Sequence, residues 1–153
     1  MECSAVLNMR RALLLLLASL LSAPAGFAGS GSVVLVVRAD SMVVDLDSVT
    51  VHKLFLGVPV LINGRPLHPI RNRSDERLDQ IFLQEIAAMS QSAYDRQTLI
   101  GVNRQGWLRP DEEESTSQVI EKLRADPSAV SFVWLRDVAH DPRIRILRVL
   151  WTD

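Results

Sequence analysis

The chain contains almost no cysteine: Cys3 is the single one in 153 residues. Cys3 precedes the apolar run of residues 12–21, so it is not a lipoprotein cysteine at a signal cleavage site. It leaves with that run if the run is removed, and the rest of the chain has no thiol. Disulfide bonds, cysteine nucleophiles and cysteine metal ligands are therefore excluded.

The motifs of common enzyme classes are also missing. No serine lies in a Gly-x-Ser-x-Gly elbow, and the dispersed glycines match neither of the glycine-rich loops that hold nucleotide phosphates. The histidines His52, His68 and His140 lack the spacing of a metal site. We therefore predict no enzymatic activity, no catalytic residue, no metal and no cofactor.

An excess of charge of one sign is absent as well. The chain has 17 Lys and Arg residues against 18 Asp and Glu residues, which gives a formal net charge of -1. Its basic residues are interspersed with acids, whereas a nucleic-acid footprint is usually a broad basic face. We predict no nucleic-acid partner.

The first 28 residues have the order of a secretory signal peptide. Arg10 and Arg11 precede the apolar run, and Pro24 and the small-residue pattern of residues 26–28 follow it. The run is shorter than the roughly 20 residues that span a bilayer. We predict cleavage, a periplasmic or secreted location, no stable membrane span afterwards, and a single domain of residues 29–153. The alternative is an uncleaved N-terminal tether.

Strand and helix patterns alternate along the remaining residues. The valine-rich segment 32–37 predicts a strand that is buried on both faces. Residues 46–48 predict the cap of a helix that ends at Gly57, and Asn63–Gly64 predicts a hairpin turn. Pro66 and Pro69 favour strands that are short or lie at a sheet edge.

Helical spacing of apolar residues begins again at Ser74 and continues to Met89. Three further predictions follow: a helix from Ser90 or Ser92 to Gly101, a loop over residues 102–110, and a helix started by a Ser115–Gln118 capping box. Residues 130–135 and 144–151 predict strands. The order indicates an α/β fold with some antiparallel pairing.

Basic side chains surround the predicted start of the Ser74 helix. Arg71 and Arg73 precede Ser74, and Arg77 follows it by less than one turn. Free backbone N–H groups and the helix dipole attract an anion to such a place. We predict that Arg71, Ser74, Arg73 and Arg77 bind a small oxyanion.

Acidic residues at the same place support a second interpretation. Asp75 and Glu76 lie in the first helical turn and Asp79 follows. Ser74 would then be an ordinary helix cap, and the arginines would form a solvated edge paired with these acids. The functional interpretation needs at least two guanidinium groups that point at one position.

Several of these segments occur together in one known family. They are the Phe55–Leu56–Gly57 helix end, the Asn63–Gly64 turn, Ser74, Phe82 and the strand of residues 129–133. The pattern resembles small, single-lobe relatives of phosphate ABC transporter substrate-binding proteins. The resemblance implies a three-layer single lobe of the periplasmic-binding-protein-like fold, with a mixed sheet flanked by helices.

The resemblance also implies a ligand and a partner. In the family, phosphate is held by hydroxyls and amides at helix N-termini, an arginine and an aspartate. Arg71 matches the arginine and Ser74 the serine, whereas Arg73 and Asp75 replace neighbouring glycines. The implied function is an exported, solute-binding-type protein for phosphate or another small oxyanion. The alternative is an envelope protein-protein interaction module that has lost ligand binding and presents an edge strand or the 102–110 loop to an envelope or transporter protein.

Overall fold

The computed structural model describes residues 31–153, so the predicted signal peptide lies outside the described residues. Its strands are β1 (Val33–Arg38), β2 (Leu61–Ile62), β3 (Arg65–Pro66), β4 (His68–Asn72), β5 (Asp111–Glu113), β6 (Ala129–Trp134) and β7 (Ile144–Trp151). Its helices are α1 (Ser48–Phe55), α2 (Glu76–Ile81), α3 (Gln91–Gln105), α4 (Thr116–Ala125) and α5 (Leu135–Val138), with a π-helical segment, Phe82–Ile86, directly after α2. Among these helices there is none that is both long and apolar enough to cross a bilayer.

Five strands form one mixed sheet in the order β5-β4-β6-β1-β7. β1 is antiparallel to both β6 and β7, while β4 is parallel to both β5 and β6. The side chains of residues 33–37 are completely buried, as the continuous apolar run predicts. The interior position of this strand and the mixed α/β sheet are confirmed.

Each face of the sheet is covered by helices. On one face, Leu35 and Phe132 pack with Phe55 of α1 and Phe82, which begins the π-helical segment. The rings of Phe82 and Phe132 are stacked with their centroids 5.1 Å apart. On the other face, a second cluster contains β1 and β6 residues together with Val119 of α4. The predicted three-layer arrangement is therefore present.

The hairpin is short, as predicted, but the strand that follows it is not at an edge. β2 and β3 form a separate two-stranded sheet, whereas β4 lies between β5 and β6. Pro69 is tolerated there because β5 begins only opposite Ile70, and the His68 N–H donates to Ser128 on the other side. The missing Pro69 N–H therefore interrupts no ladder between β4 and β5.

Helix α3 continues past its predicted end at Gly101. A Cβ atom on Gly101 would lie 2.0 Å from the Trp107 ring, so the glycine permits close packing and does not end the helix. The end is at Gly106, which has a left-handed φ of 68°. The predicted 102–110 loop therefore contains the last turn of α3.

Candidate functional site

Arg71 lies near the end of strand β4, and its side chain is fully buried. Ile70 belongs to the hydrophobic cluster on the opposite face of the sheet, so the alternation of the strand directs Arg71 to the Phe82 side. Its guanidinium carbon lies 4.6 Å from the centroid of the Phe82 ring and 4.8 Å from that of Tyr94. Burial raises the pKa of Tyr94 to about 12, so this ring is neutral beside the cation.

The charge of Arg71 is compensated inside the molecule. Its Nη2 donates to Asp79 Oδ1 at 2.7 Å and to Gln91 Oε1 at 2.6 Å. Its Nη1 is also buried but makes no hydrogen bond to any described residue. The nearest carboxylate to that atom is Glu112, whose Oε1 lies 3.5 Å away.

Two further guanidinium groups reach the same carboxylate. Arg73 Nη1 lies 3.3 Å from Glu112 Oε2, and Arg109 Nη2 lies 3.5 Å from Glu112 Oε1. The parallel register of β4 and β5 produces this meeting, because it pairs Arg71 with Glu112. We call Arg71, Arg73 and Arg109 the arginine cluster. Arg73 and Arg109 line a cleft of about 500 Å³ together with Gln91 and Glu112, whereas the buried Arg71 is not part of the lining.

The start of the α2 helix is not capped by Ser74, so the predicted cap is wrong. Asp75 is the cap: its Oδ1 accepts hydrogen bonds from the backbone N–H groups of Arg77 and Leu78. Its other oxygen accepts from Trp134 Nε1 at 2.8 Å. Partial burial opposes ionisation, but these hydrogen bonds outweigh it and lower the pKa of Asp75. The backbone N–H groups of Arg77 and Leu78, which the sequence predicts to be free for an anion, therefore already have a hydrogen-bond acceptor.

The four predicted binding residues are divided among three places. Arg71 and Arg73 meet in the arginine cluster, while the Ser74 hydroxyl lies 2.8 Å from that of Thr116. Arg77 Nη2 lies 2.6 Å from Asp153 Oδ1, and its guanidinium covers the Trp151 ring. The structure therefore brings together two of the four.

Arg109 and Glu112 are site residues that the sequence reasoning missed. They lie at the end of a loop and in an acidic run, and acidic residues are poor strand formers. Residues 111–113 become a strand because they pair with β4. The one available signal is the proximity of Arg109 to that acidic run.

The helix predicted from Ser115 is confirmed as α4, but the hydrogen bond that the capping box predicts for the Ser115 side chain is absent. Ser115 is the N-cap residue, but its side chain makes no capping hydrogen bond and its hydroxyl lies 2.7 Å from that of Ser117. The first residue of the helix, Thr116, contacts Ser74. Two hydroxyl groups therefore meet where α4 begins.

Two of the three histidines, His52 and His68, have structural partners. His68 Nδ1 lies 2.6 Å from Asp126 Oδ2 at the surface, and His52 Nδ1 lies 2.9 Å from the carbonyl oxygen of Ile86. Within residues 31–153, no group of three or more His, Cys, Asp or Glu side chains could hold a metal ion.

Comparison with solved structures identifies the fold. An ABC-type phosphate transport receptor from Vibrio cholerae superposes with a TM-score of 0.58 at 11% identity, over 78% of this chain and 46% of that one. A Clostridium perfringens structure with bound phosphate, assigned as a phosphate ABC transporter substrate-binding protein, gives 0.58 at 9% identity, over 78% and 45%. PstS from Borrelia burgdorferi gives 0.54 at 10% identity, over 78% and 47%.

Comparison by sequence gave no match. No protein-family model matches this sequence, and no curated protein matches it. The chain spans less than half the length of the structures described above. At these identities the likeness concerns the fold. The resemblance inferred from the sequence is confirmed at that level: this chain has the fold found in phosphate ABC transporter substrate-binding proteins.

Proposed function

We propose that this chain is a non-catalytic, solute-binding-type protein that acts after export and binds a small oxyanion such as phosphate. The observation that carries the proposal is the convergence of Arg71, Arg73 and Arg109 on one carboxylate beside an open cleft. Guanidinium groups match the geometry of oxyanions and carboxylates. The structures with this fold include one that holds phosphate.

Arg71 and Arg73 supply the direct contacts in this proposal. Arg73 is partly exposed and lines the cleft. Arg71 is fully buried, contacts the cleft residues Gln91 and Glu112, and makes no hydrogen bond through Nη1. Ser74 and Arg77 stay in the proposed set, but they reach the same anion only if they leave Thr116 and Asp153. A single lobe encloses little of a ligand, so we expect weak affinity unless a partner supplies a second wall.

Thermal unfolding of the purified protein with increasing phosphate or sulfate tests the proposal. Ligand that binds only the folded state raises the midpoint temperature, by an amount equivalent to about 2.7 kcal/mol at 100 times Kd. We expect a rise at millimolar phosphate that Arg73→Ala abolishes. Arg65→Ala, which removes an exposed arginine of the β2–β3 hairpin, is the control and should retain the rise. A folded wild-type protein that shows no rise with either anion contradicts the proposal.

A specific observation also favours the interaction module. The side chains of Leu99 and Leu108 are 60% and 66% exposed, and Ile100 is 44% exposed, on α3 and the loop that follows it. Large apolar side chains that are exposed at a surface are available for contact with a protein partner. In this interpretation Asp75, Asp79 and Glu112 have permanently replaced the ligand. Absence of any anion response in the unfolding experiment, with native folding, favours this function.

A further inference from the structure

We propose that Glu112 is a built-in competitor for the oxyanion. Its carboxylate occupies the anion position of the arginine cluster, and an incoming oxyanion binds by displacing it. This inference rests on the proposed function, because it assigns the regulation of the same site. Binding at the arginine cluster is then an exchange between the Glu112 carboxylate and an oxyanion from solution.

The contacts of Glu112 are longer than those of a well-formed ion pair. They measure 3.3 to 3.5 Å, whereas charge-assisted N–H to O bonds are about 2.7–2.9 Å. Arg71 and Asp79 reach 2.7 Å in the same cluster. The carboxylate of Glu112 therefore satisfies its three cations incompletely, and the buried Nη1 of Arg71 has no hydrogen bond.

Glu112 can leave this position without disturbing the sheet. Its side chain is 26% exposed and faces the cleft, so rotation about its χ angles carries the carboxylate to water. The β5 strand is held from the opposite face by Lys122, whose Nζ lies 2.9 Å from Asp111 and 2.6 Å from Glu113. Those two ion pairs do not involve Glu112.

Local charge explains why the exchange matters. With Glu112 in place, the three guanidiniums of the cluster face the carboxylates of Asp79 and Glu112, and Asp95 lines the same cleft. An added dianion would then be repelled by as many acids as there are arginines. Displacement of Glu112 into water removes the nearest of these negative charges, since water screens it.

Phosphate titrations of Glu112→Gln and of the wild-type protein test the inference. The glutamine keeps the shape of the side chain and removes its charge. We expect the half-saturating phosphate concentration, from thermal shift and calorimetry, to fall by roughly tenfold. The reason is that the variant removes one negative charge that repels the phosphate at close range. Glu114→Gln removes the same charge from an exposed position just beyond β5 and should leave the concentration unchanged. Glu112→Ala provides a second variant if the amide makes its own hydrogen bonds to the arginines.

The outcomes separate the two proposals. Equal phosphate binding by wild type, Glu112→Gln and Glu112→Ala supports the proposed function and overturns the competitor role. Equal gains in the Glu112 and Glu114 variants show a general charge effect and also overturn it. No binding by any folded variant overturns both. Tighter binding in the Glu112 variants alone supports both.

Discussion

Arg71 has a structural role in the core and a place in the proposed anion site. A buried guanidinium is costly unless it is paired, and Arg71 is paired with Asp79 and Gln91 between two aromatic rings. Its Nη2 is used internally, and its Nη1 is directed towards Glu112. The same side chain is therefore part of the core and, in the proposed function, a contact for the anion.

A double-mutant cycle measures how strongly Arg71 and Asp79 are coupled in the free energy of unfolding. Arg71→Met leaves the carboxylate of Asp79 without its nearest cation, although Arg73 remains 4.0 Å away, and we expect a loss of about 3 kcal/mol in the free energy of unfolding. Asp79→Asn leaves the guanidinium buried without its closest charged partner and should cost a similar amount. The double variant should lose less than the sum, by at least about 1 kcal/mol. Urea denaturation gives the four values, and strict additivity would show that the pair is not coupled.

At the scale of elements, the end of α1 is joined to the loop after α3 by close backbone contact. Gly57 has a φ of 92°, and its carbonyl oxygen accepts a hydrogen bond from the N–H of Leu108 at 3.2 Å. A Cβ atom on Gly57 would lie 2.3 Å from the carbonyl oxygen of Leu108. This contact holds the segment that leads to Arg109.

A pair of alanine substitutions isolates this contact. Gly57 and Gly64 both have positive φ, so alanine at either position costs about 1–2 kcal/mol of backbone strain. Only Gly57 also meets a neighbouring backbone atom, and such overpacking adds about 1–3 kcal/mol. We therefore expect Gly57→Ala to be the more destabilising in urea denaturation. Equal losses would mean that the Leu108 segment moves away freely.

The same elements show what could be predicted from sequence. The buried β1 strand, the end of α1 at Gly57 and the Asn63–Gly64 turn are local signals, and they are confirmed. The β5 strand is not local, because acidic residues form it only by pairing with β4. The meeting of Arg71 with Glu112 depends on that register. Binding of an oxyanion there stays a prediction.

For the whole molecule, charge is distributed as many small pairs. Five aspartates have a pKa below the usual value of 3.8: Asp40, Asp47, Asp75, Asp126 and Asp141. Desolvation opposes the shift at all five and most strongly at Asp75 and Asp126, but hydrogen bonds and nearby cations together outweigh it. Burial has the opposite effect on Asp137 and raises its pKa, with Asp75 adding repulsion. These two groups of carboxylates therefore give stability opposite dependences on pH.

The free energy of unfolding of wild type and of one variant, measured at several pH values, separates the two effects. The lowered pKa values stabilise the fold above about pH 4 and lose that contribution as the pH falls through them, so wild type should be less stable at about pH 3 than at pH 7. The raised pKa of Asp137 favours the fold below pH 3.8, the unfolded value, and this contribution disappears as the pH rises through the folded value. Asp137→Asn should therefore increase the unfolding free energy at pH 7 more than at about pH 3, as measured by urea denaturation at each pH. A gain of equal size at both values would show that burial of the ionised carboxylate has no cost, and that Asp137 does not contribute to the pH dependence of stability.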